Sequence, residues 1–152
     1  MLSNANGMKY TTQVIIDLPL EECIAKLDNP ENMKHWQEGL ESYEHLQGAA
    51  GQEGAQMNLH YKMGRRKIDM VETIIKKQLP NEFHSTYEAK GVHNIQKNYF
   101  TTVEGNKTQW TSVSEFKFDK PGLRLMSWLV PNVFRKQSQK YLEDFKSFAE
   151  NN

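Results

Sequence analysis

The sequence predicts an α+β protein in which an antiparallel sheet of about seven strands packs against one long C-terminal helix. From Gly39 to Phe118, apolar and polar residues mostly alternate with a period of two, which is typical of half-buried strands. Glycine, proline and asparagine interrupt this alternation at short intervals, where hairpin turns are expected. From Gly122 to Glu150, apolar residues instead recur mainly every three or four positions, the period of an amphipathic helix.

The chain begins with one strand and two short helices. Met8–Asp17 is rich in Thr, Val, Ile and Tyr, which favours a strand. Asp17 is a candidate cap for the helix that follows, because its carboxylate can accept hydrogen bonds from free backbone N–H groups. Asn29-Pro30 ends that helix, and a second short helix is predicted over Pro30–Trp36. The apolar face of the first helix consists of Leu20, Cys23, Ile24 and Leu27.

Six further strands are predicted between the short helices and the tail. Strands joined by short turns usually pair with their neighbours, so the order predicts an antiparallel meander. Met57, Leu59, Tyr61 and Met63 form the clearest apolar face, while Glu72 shares a face with apolar residues of the next strand. The predicted strands are Glu41–Gln47, Ala55–Met63, Arg65–Leu79, Glu82–Lys90, Val92–Glu104 and Thr108–Phe118.

Pro131 falls inside the helical pattern of the tail. A proline within a helix removes a backbone hydrogen bond and clashes with the preceding turn, at a cost of about 3 kcal/mol. We therefore predict a short helical piece over Gly122–Val130 and a main helix that begins at or near Pro131; a single kinked helix is the alternative. The firmest packing is expected around Tyr141, Phe145 and Phe148.

The composition narrows the classes of function. With 19 basic and 19 acidic residues the formal net charge is zero, whereas a protein that binds nucleic-acid backbones would carry a basic excess. Cys23 is the only cysteine, which excludes an intrachain disulfide and a cysteine-based zinc cluster. No two of the five histidines have the spacing of a metal-binding pair, so we predict neither a metal site nor a cofactor.

The length of 152 residues fits a single domain. We predict a loose leader over residues 1–7 and one domain over residues 8–152. No signal peptide is visible, and no apolar run approaches the ~20 residues that cross a bilayer. The prediction is a cytoplasmic protein without integral membrane association; the sequence leaves open whether it is a monomer or a homodimer.

The order of elements and several local motifs resemble the START-like superfamily, which includes the polyketide cyclase/dehydrase-like proteins and has the helix-grip fold. Val14–Cys23 resembles the family's first strand followed by Asp-x-Pro and an acidic helix start. Asn29-Pro30-Glu31 and Trp36 resemble its second short helix. Glu72-Thr73-Ile74 and Leu79–Phe83 resemble its middle hairpin.

The resemblance implies a strongly curved sheet that wraps the long helix and leaves a cavity for an apolar small molecule. Members of the superfamily bind lipids, sterols, polyketides, plant hormones or quinones. Some catalyse cyclisation or dehydration, and others are transport proteins or activators of chaperone ATPases. The piece before Pro131 would then act as a lid, with the cavity entrance near Met126 and Leu129.

The predicted cavity wall combines the concave strand faces with the inner stripe of the tail. Glu72 is the candidate acid or base, with Tyr61 or Tyr87 as its partner in proton transfer, because a desolvated carboxyl has a raised pKa. The alternative is that Glu72 forms an ion pair at the rim or faces outward. The candidate ligand-binding residues are Trp36, Met57, Leu59, Tyr61, Met70, Glu72, Ser85, Tyr87, Trp110, Ser112, Met126, Leu129 and Val133.

Three functions are consistent with these patterns. The first is a non-enzymatic carrier or sensor of a hydrophobic small molecule such as a lipid or polyketide. The second is an enzyme of cyclase or dehydratase type that uses the cavity carboxyl. The third is a protein-interaction module like the chaperone activators, which would require an apolar patch on the outer face of the sheet.

Overall fold

The computed structural model describes residues 7–119 and 131–152 of the chain. Seven strands form one antiparallel sheet in the order β1-β7-β6-β5-β4-β3-β2, so β1 and β2 are its edges. The elements of the described residues are β1 (Gly7–Ile16), α1 (Leu20–Leu27), a 3₁₀ turn (Pro30–Asn32), α2 (Met33–Trp36), β2 (Leu40–Gln47), β3 (Gln56–Met63), β4 (Arg66–Gln78), β5 (Glu82–Ala89), β6 (Val92–Val103), β7 (Lys107–Phe118) and α3 (Pro131–Asn151).

The predicted fold class is confirmed. Each predicted strand is present, and no strand end differs from its prediction by more than one residue. The turn between β6 and β7 shows why local sequence is sufficient here: Gly105 and Asn106 both have positive φ angles, a conformation that these two residue types tolerate best. The sheet is a curved open meander, closed on one side by α3.

The long helix α3 packs along the edge strand β1. The Tyr10 hydroxyl is hydrogen-bonded to the Ser138 hydroxyl at 2.6 Å, and Lys146 Nζ donates to the Ile15 carbonyl at 2.6 Å. The largest buried cluster lies towards the C-terminal part of α3, where Phe145 is fully buried. The members of this cluster are Val14, Ile16, Cys23, Ile24, Phe100, Trp110, Leu142, Phe145 and Ala149.

The prediction that Asp17 caps α1 is wrong. Pro19 occupies the capping position, and no side chain caps the helix. The Asp17 backbone instead donates to a Glu150 carboxylate oxygen at 2.7 Å. Asp17 lies one residue too early, because Leu18 is bonded back to the Ile16 carbonyl before the helix begins.

The apolar stripe had predicted that Val133 faces the sheet. The structure shows otherwise, because 59% of its surface is exposed. It precedes Phe145 by twelve residues, which at ~3.6 residues per turn is about a third of a turn round the helix from the buried stripe. The predicted lid, Gly122–Val130, with Met126 and Leu129, lies outside the described residues.

Candidate functional site

A cavity of about 410 Å³ lies between the inner face of the sheet and α3. This volume is within the range of roughly 300–1,000 Å³ that small-molecule pockets occupy. All seven strands contribute to its wall, together with α1, α2 and α3. Most of the wall is apolar or aromatic, and its main members of this kind are Met33, Trp36, Met57, Met70, Ile74, Phe83, Phe100, Trp110, Phe116, Phe134 and Leu142.

The pairing register brings the polar groups of the wall together. Glu72 on β4 lies opposite Tyr87 on β5, and Tyr87 lies opposite Asn94 on β6. Further along the sheet, Asn98 on β6 lies opposite Ser112 on β7. Side chains directly opposite each other share a face of the sheet, so all five line the cavity.

Glu72 is a carboxyl group in the cavity wall that is almost wholly removed from bulk water. Only 8% of its surface is exposed. Burial raises the pKa of Glu72, and a hydrogen bond from the Tyr87 hydroxyl partly opposes that rise. A carboxyl in this state holds its proton to a higher pH than usual, which is the condition for general acid or base chemistry at one site.

Tyr61, Tyr87 and Tyr141 also line the cavity. Tyr61 donates a short hydrogen bond to the Gln37 side chain of the segment after α2. Burial raises the pKa of Tyr61, and the neighbouring Tyr141 and Glu72 raise it further. Burial also raises the pKa of Tyr87 and of Tyr141. All three hydroxyls therefore remain neutral hydrogen-bonding groups.

One polar group of the wall, the ring N–H of Trp110, already has a hydrogen-bond partner within the protein. Trp110 donates its ring N–H to the Asn98 side-chain oxygen at 2.9 Å. The backbone N–H of Asn98 in turn donates to His84 Nδ1 at 3.1 Å. These bonds fix the orientation of Trp110, since a buried polar side chain takes the position in which its hydrogen bonds are made.

Two buried donors of the wall have no partner. They are the ring N–H of Trp36 and the side-chain amide nitrogen of Gln137. The Trp36 ring is held edge-on between Trp110 and Phe145, with ring centroids 6.2 and 5.2 Å away. Buried donors are normally hydrogen-bonded, so both groups are suited to an acceptor on a molecule inside the cavity.

The model of the family described as polyketide cyclase / dehydrase and lipid transport matches residues 8–150. The chain belongs to this family. The predicted START-like superfamily is thereby confirmed. No curated protein matches the chain.

Solved structures share the fold of this START-like protein at low sequence identity. The crystal structure of Ara h 8.0201 has a TM-score of 0.78 and 12% identity, covering 96% of this chain and 99% of that chain. A conserved protein from Geobacillus kaustophilus has a TM-score of 0.77 and 14% identity, covering 95% and 96%. The Zhui aromatase/cyclase from Streptomyces sp. R1128 has a TM-score of 0.77 and 14% identity, covering 95% and 94%. At these identities the likeness shows the fold alone.

The structure of this START-like protein brings most of the predicted site residues together. Leu59 and Ser85 face inward but are buried beneath the wall, Leu59 among Met33 and Tyr61. Val133 is exposed on the outer side of α3. Those that line the cavity are Trp36, Met57, Tyr61, Met70, Glu72, Tyr87, Trp110 and Ser112.

Sequence reasoning missed the polar residues of β6 and α3. Asn94, Gln96 and Asn98 alternate along β6 on the cavity side, but their pattern of polar residues looks like a solvated face. A search for period-two spacing regardless of polarity would have found them. The members of the wall missed on β1 and α3 include Tyr10, Phe134, Gln137, Ser138 and Tyr141.

A second depression lies between α2 and the last turns of α3. It is a groove of about 570 Å³ at the surface, with side chains such as Lys34, Glu38 and Asp144 along it. The His35 ring stacks on Phe148 beside it, with centroids 5.5 Å apart. Because its wall is mainly polar and open to water, it offers little apolar burial, and we assign the candidate site to the inner cavity.

On the part of the outer surface that the structure describes, the large apolar side chains are scattered rather than gathered in one patch. Among the described residues, Ile15 and Leu46 are about half exposed, but they lie on opposite edge strands of the sheet. Ile75 lies on β4, and Val133 lies on α3. Within residues 7–119 and 131–152, this arrangement does not provide the contiguous apolar face that a protein-interaction module would require.

No group of three metal-ligating side chains comes together within residues 7–119 and 131–152. His60 on the outer face is the nearest approach to such a group, since it contacts Asp69 at 2.6 Å and Glu44 at 3.4 Å. None of the helices in the described part of the chain is long and apolar enough to cross a membrane.

Proposed function

We propose that this protein binds a hydrophobic small molecule in the cavity between the sheet and α3, as a carrier or sensor. The observation that supports the proposal is the cavity itself: a space of about 410 Å³ with a mainly apolar wall and a small number of converging polar groups. Binding in such a site is driven by removal of apolar surface from water, while the polar groups select among ligands. As part of this proposal we assign the protein to the cytoplasm, whose reducing conditions suit the buried free thiol of Cys23.

The proposal is tested by filling the cavity. Ser112 is buried in the floor, so Ser112→Phe would place a ring where the ligand lies. Thr111→Phe is the matched control, because the neighbouring residue of β7 points to the other face of the sheet. Binding of the uncharged dye Nile red, followed by fluorescence, is expected to weaken at least about tenfold in Ser112→Phe and to stay within about twofold in Thr111→Phe.

Equal binding by the two variants, or no binding by the unaltered protein, would contradict the proposal. Native mass spectrometry of the purified protein adds an independent measurement. A carrier is expected to retain an apolar molecule through purification, seen as a second mass that heating removes. Circular dichroism of both variants verifies that the sheet remains folded.

A second candidate function is an enzyme of cyclase or dehydratase type, favoured by the pair of Glu72 and Tyr87 in the wall. In a dehydration, the Glu72 carboxylate would remove the proton next to a ketone, and Tyr87 would hydrogen-bond the ketone oxygen on which charge develops. The C–O bond of the β-hydroxyl would then break, and this group would take the proton back from Glu72 and leave as water. Glu72→Gln keeps the shape but removes the base. We expect it to reduce loss of water from a β-hydroxy ketone probe by at least about a hundredfold. Unchanged turnover in this variant would remove the role assigned to Glu72.

A further inference from the structure

We propose that the cavity selects its ligand by charge: it takes a positively charged amine on a flat apolar body, and the Glu72 carboxylate is the group that recognises the nitrogen. The inference rests on the proposed binding function, and it narrows the ligand to one chemical class. Three features of the cavity support it, namely the charges of its wall, the unpaired state of Glu72 and the aromatic rings beside that carboxyl.

The charges of the wall are the first feature. The chain has 19 lysine and arginine residues, yet among the described residues none of them lines the cavity. Apart from the tyrosines, the ionisable residues of the described wall are Asp28, His45 and Glu72. Lys77 does not line the cavity, but its Nζ contacts two residues of the wall, the Asp28 carboxylate at 3.2 Å and the Gly51 carbonyl at 2.5 Å.

A described wall without lysine or arginine disfavours anionic ligands more than neutral or cationic ones. A carboxylate or phosphate that enters the cavity loses its water, which costs several kcal/mol unless a cation or several donors replace it. The described wall has no lysine or arginine, its unpaired donors on Trp36 and Gln137 are neutral, and Glu72 in its charged form would repel the anion. Fatty-acid anions and phosphorylated lipids are therefore poor ligands for this cavity.

The unpaired state of Glu72 is the second feature. Within the described part of the chain, no lysine, arginine or histidine forms an ion pair with Glu72, and its hydrogen-bonding neighbour is the Tyr87 hydroxyl. The other carboxylates of the chain that form ion pairs are nearer the surface; Asp28, for example, pairs with Lys77. Buried charges in proteins are almost always paired, so whenever Glu72 is ionised a ligand cation is the partner that it lacks.

The aromatic neighbours of Glu72 are the third feature. Tyr87 lies opposite it on β5, and Tyr61 on β3 is close enough to share its electrostatic field. The faces of such rings attract a cation, by about 0.5–2 kcal/mol for each favourable contact. Further along the wall, Trp36 and Trp110 lie edge to face at 6.2 Å and provide a surface for a flat ring.

The experiment uses three probes with the same bicyclic ring and different charge: 1-naphthylmethylamine, 1-naphthylmethanol and 1-naphthoic acid. At about pH 8 the first is largely a cation, the second is neutral and the third is an anion. Titration calorimetry is expected to give the order amine, then alcohol, then acid, with the amine at least about tenfold tighter than the alcohol.

Glu72→Gln is the decisive variant. It is expected to bring the affinity for the amine down to that for the alcohol, while the affinity for the alcohol changes by less than about twofold. Retained binding of the alcohol also shows that the variant is folded. Glu88→Gln, on the same strand as Tyr87 but exposed on the outer face, is the matched control and is expected to leave the order unchanged.

The outcomes distinguish the inference from the proposed function. If the alcohol binds and the amine binds no better, or if Glu72→Gln keeps the preference for the amine, the charge selection is wrong while cavity binding remains. If the acid binds most tightly, the inference is equally overturned. If none of the three probes binds and Nile red does not bind either, the proposed function fails together with the inference.

Discussion

At the scale of single residues, Glu72 has the most unusual environment. It lies opposite Met57 on β3 and Tyr87 on β5, and the wall around it is mainly apolar. Burial raises its pKa, and the Tyr87 hydroxyl offsets only part of that rise. The charged form is therefore less stable in the folded chain than in the unfolded chain.

This environment predicts a dependence of stability on pH. The folded pKa of Glu72 is above the unfolded value, so its contribution to stability is fully present below the unfolded pKa and is lost as the pH rises through the folded pKa. Glu72→Gln cannot ionise, so it should be more stable than the unaltered protein at about pH 8, and this advantage should shrink at about pH 4. Urea unfolding at the two pH values measures the difference. An advantage that is the same at both values would show that Glu72 ionises as freely as in water.

The tyrosines near Glu72 do not disturb this prediction. The titratable groups that face it are Tyr87 on β5, Tyr61 on β3 and, beyond Tyr61, Tyr141 on α3, and burial raises the pKa of each. They stay neutral over the whole range, so the carboxyl is the group among them that changes charge. Tyr61→Phe, which removes a hydroxyl bonded to Gln37, should leave the direction of the pH dependence unchanged.

At the scale of elements, α3 has two parts with different tasks. Its C-terminal half carries Leu142, Phe145 and Ala149 into the main core. Its N-terminal half carries Gln137 and Ser138 to the cavity wall. The helix therefore stabilises the fold at one end and supplies polar contacts to the site at the other. The sequence had predicted firm packing around Phe145, but it had not predicted the polar contacts of Gln137 and Ser138.

This division predicts very different costs for two truncations on one helix. Phe145→Ala removes a fully buried ring and should lower the free energy of unfolding by about 3–5 kcal/mol. Val133→Ala, at an exposed position, should change it by about 0.5 kcal/mol or less. Urea unfolding measures both. A loss above ~2 kcal/mol for Val133→Ala would mean that this side chain is buried in solution.

At the scale of the whole molecule, the cavity exists because a curved sheet and a straight helix cannot touch along their full length. Contact is closest where α3 meets β1 and the residues of α1 and α2, and the remaining space is lined by residues of all seven strands. Filling this space with a ligand should stabilise the fold, since a ligand that binds the folded state alone shifts the unfolding equilibrium.

Ligand binding is therefore expected to raise the melting temperature. At a Nile red concentration of about a hundred times its dissociation constant, the gain is about 2.7 kcal/mol. For a domain of this size that is a rise of roughly 5–10 °C, measured by circular dichroism. Ser112→Phe, with its cavity filled, should show no rise at the same dye concentration. An equal rise in this variant would place the dye elsewhere on the protein.

The strands show most clearly how much of the site could be predicted from the sequence. The period of two predicts which residues of β3 and β4 face inward, so Tyr61 and Glu72 could be placed on the cavity side from local pattern alone. The resemblance to the START-like superfamily then predicted a cavity on that side of the sheet. Asn94 and Gln96 follow the same period, but the sequence did not identify them as cavity residues. A polar inner face and a solvated outer face have the same pattern of residues.

Local pattern thus accounts for the order of elements, their limits and the two faces of each strand, since backbone periodicity and turn residues are properties of neighbouring positions. Long-range packing decided the rest. It buried Leu59 and Ser85 beneath the wall while leaving Tyr87 on it, and it turned Val133 to solvent. It also left Glu72 without an ion-pair partner among the described residues. These outcomes depend on where a curved sheet and a helix separate, which is set by contacts between residues far apart in the chain.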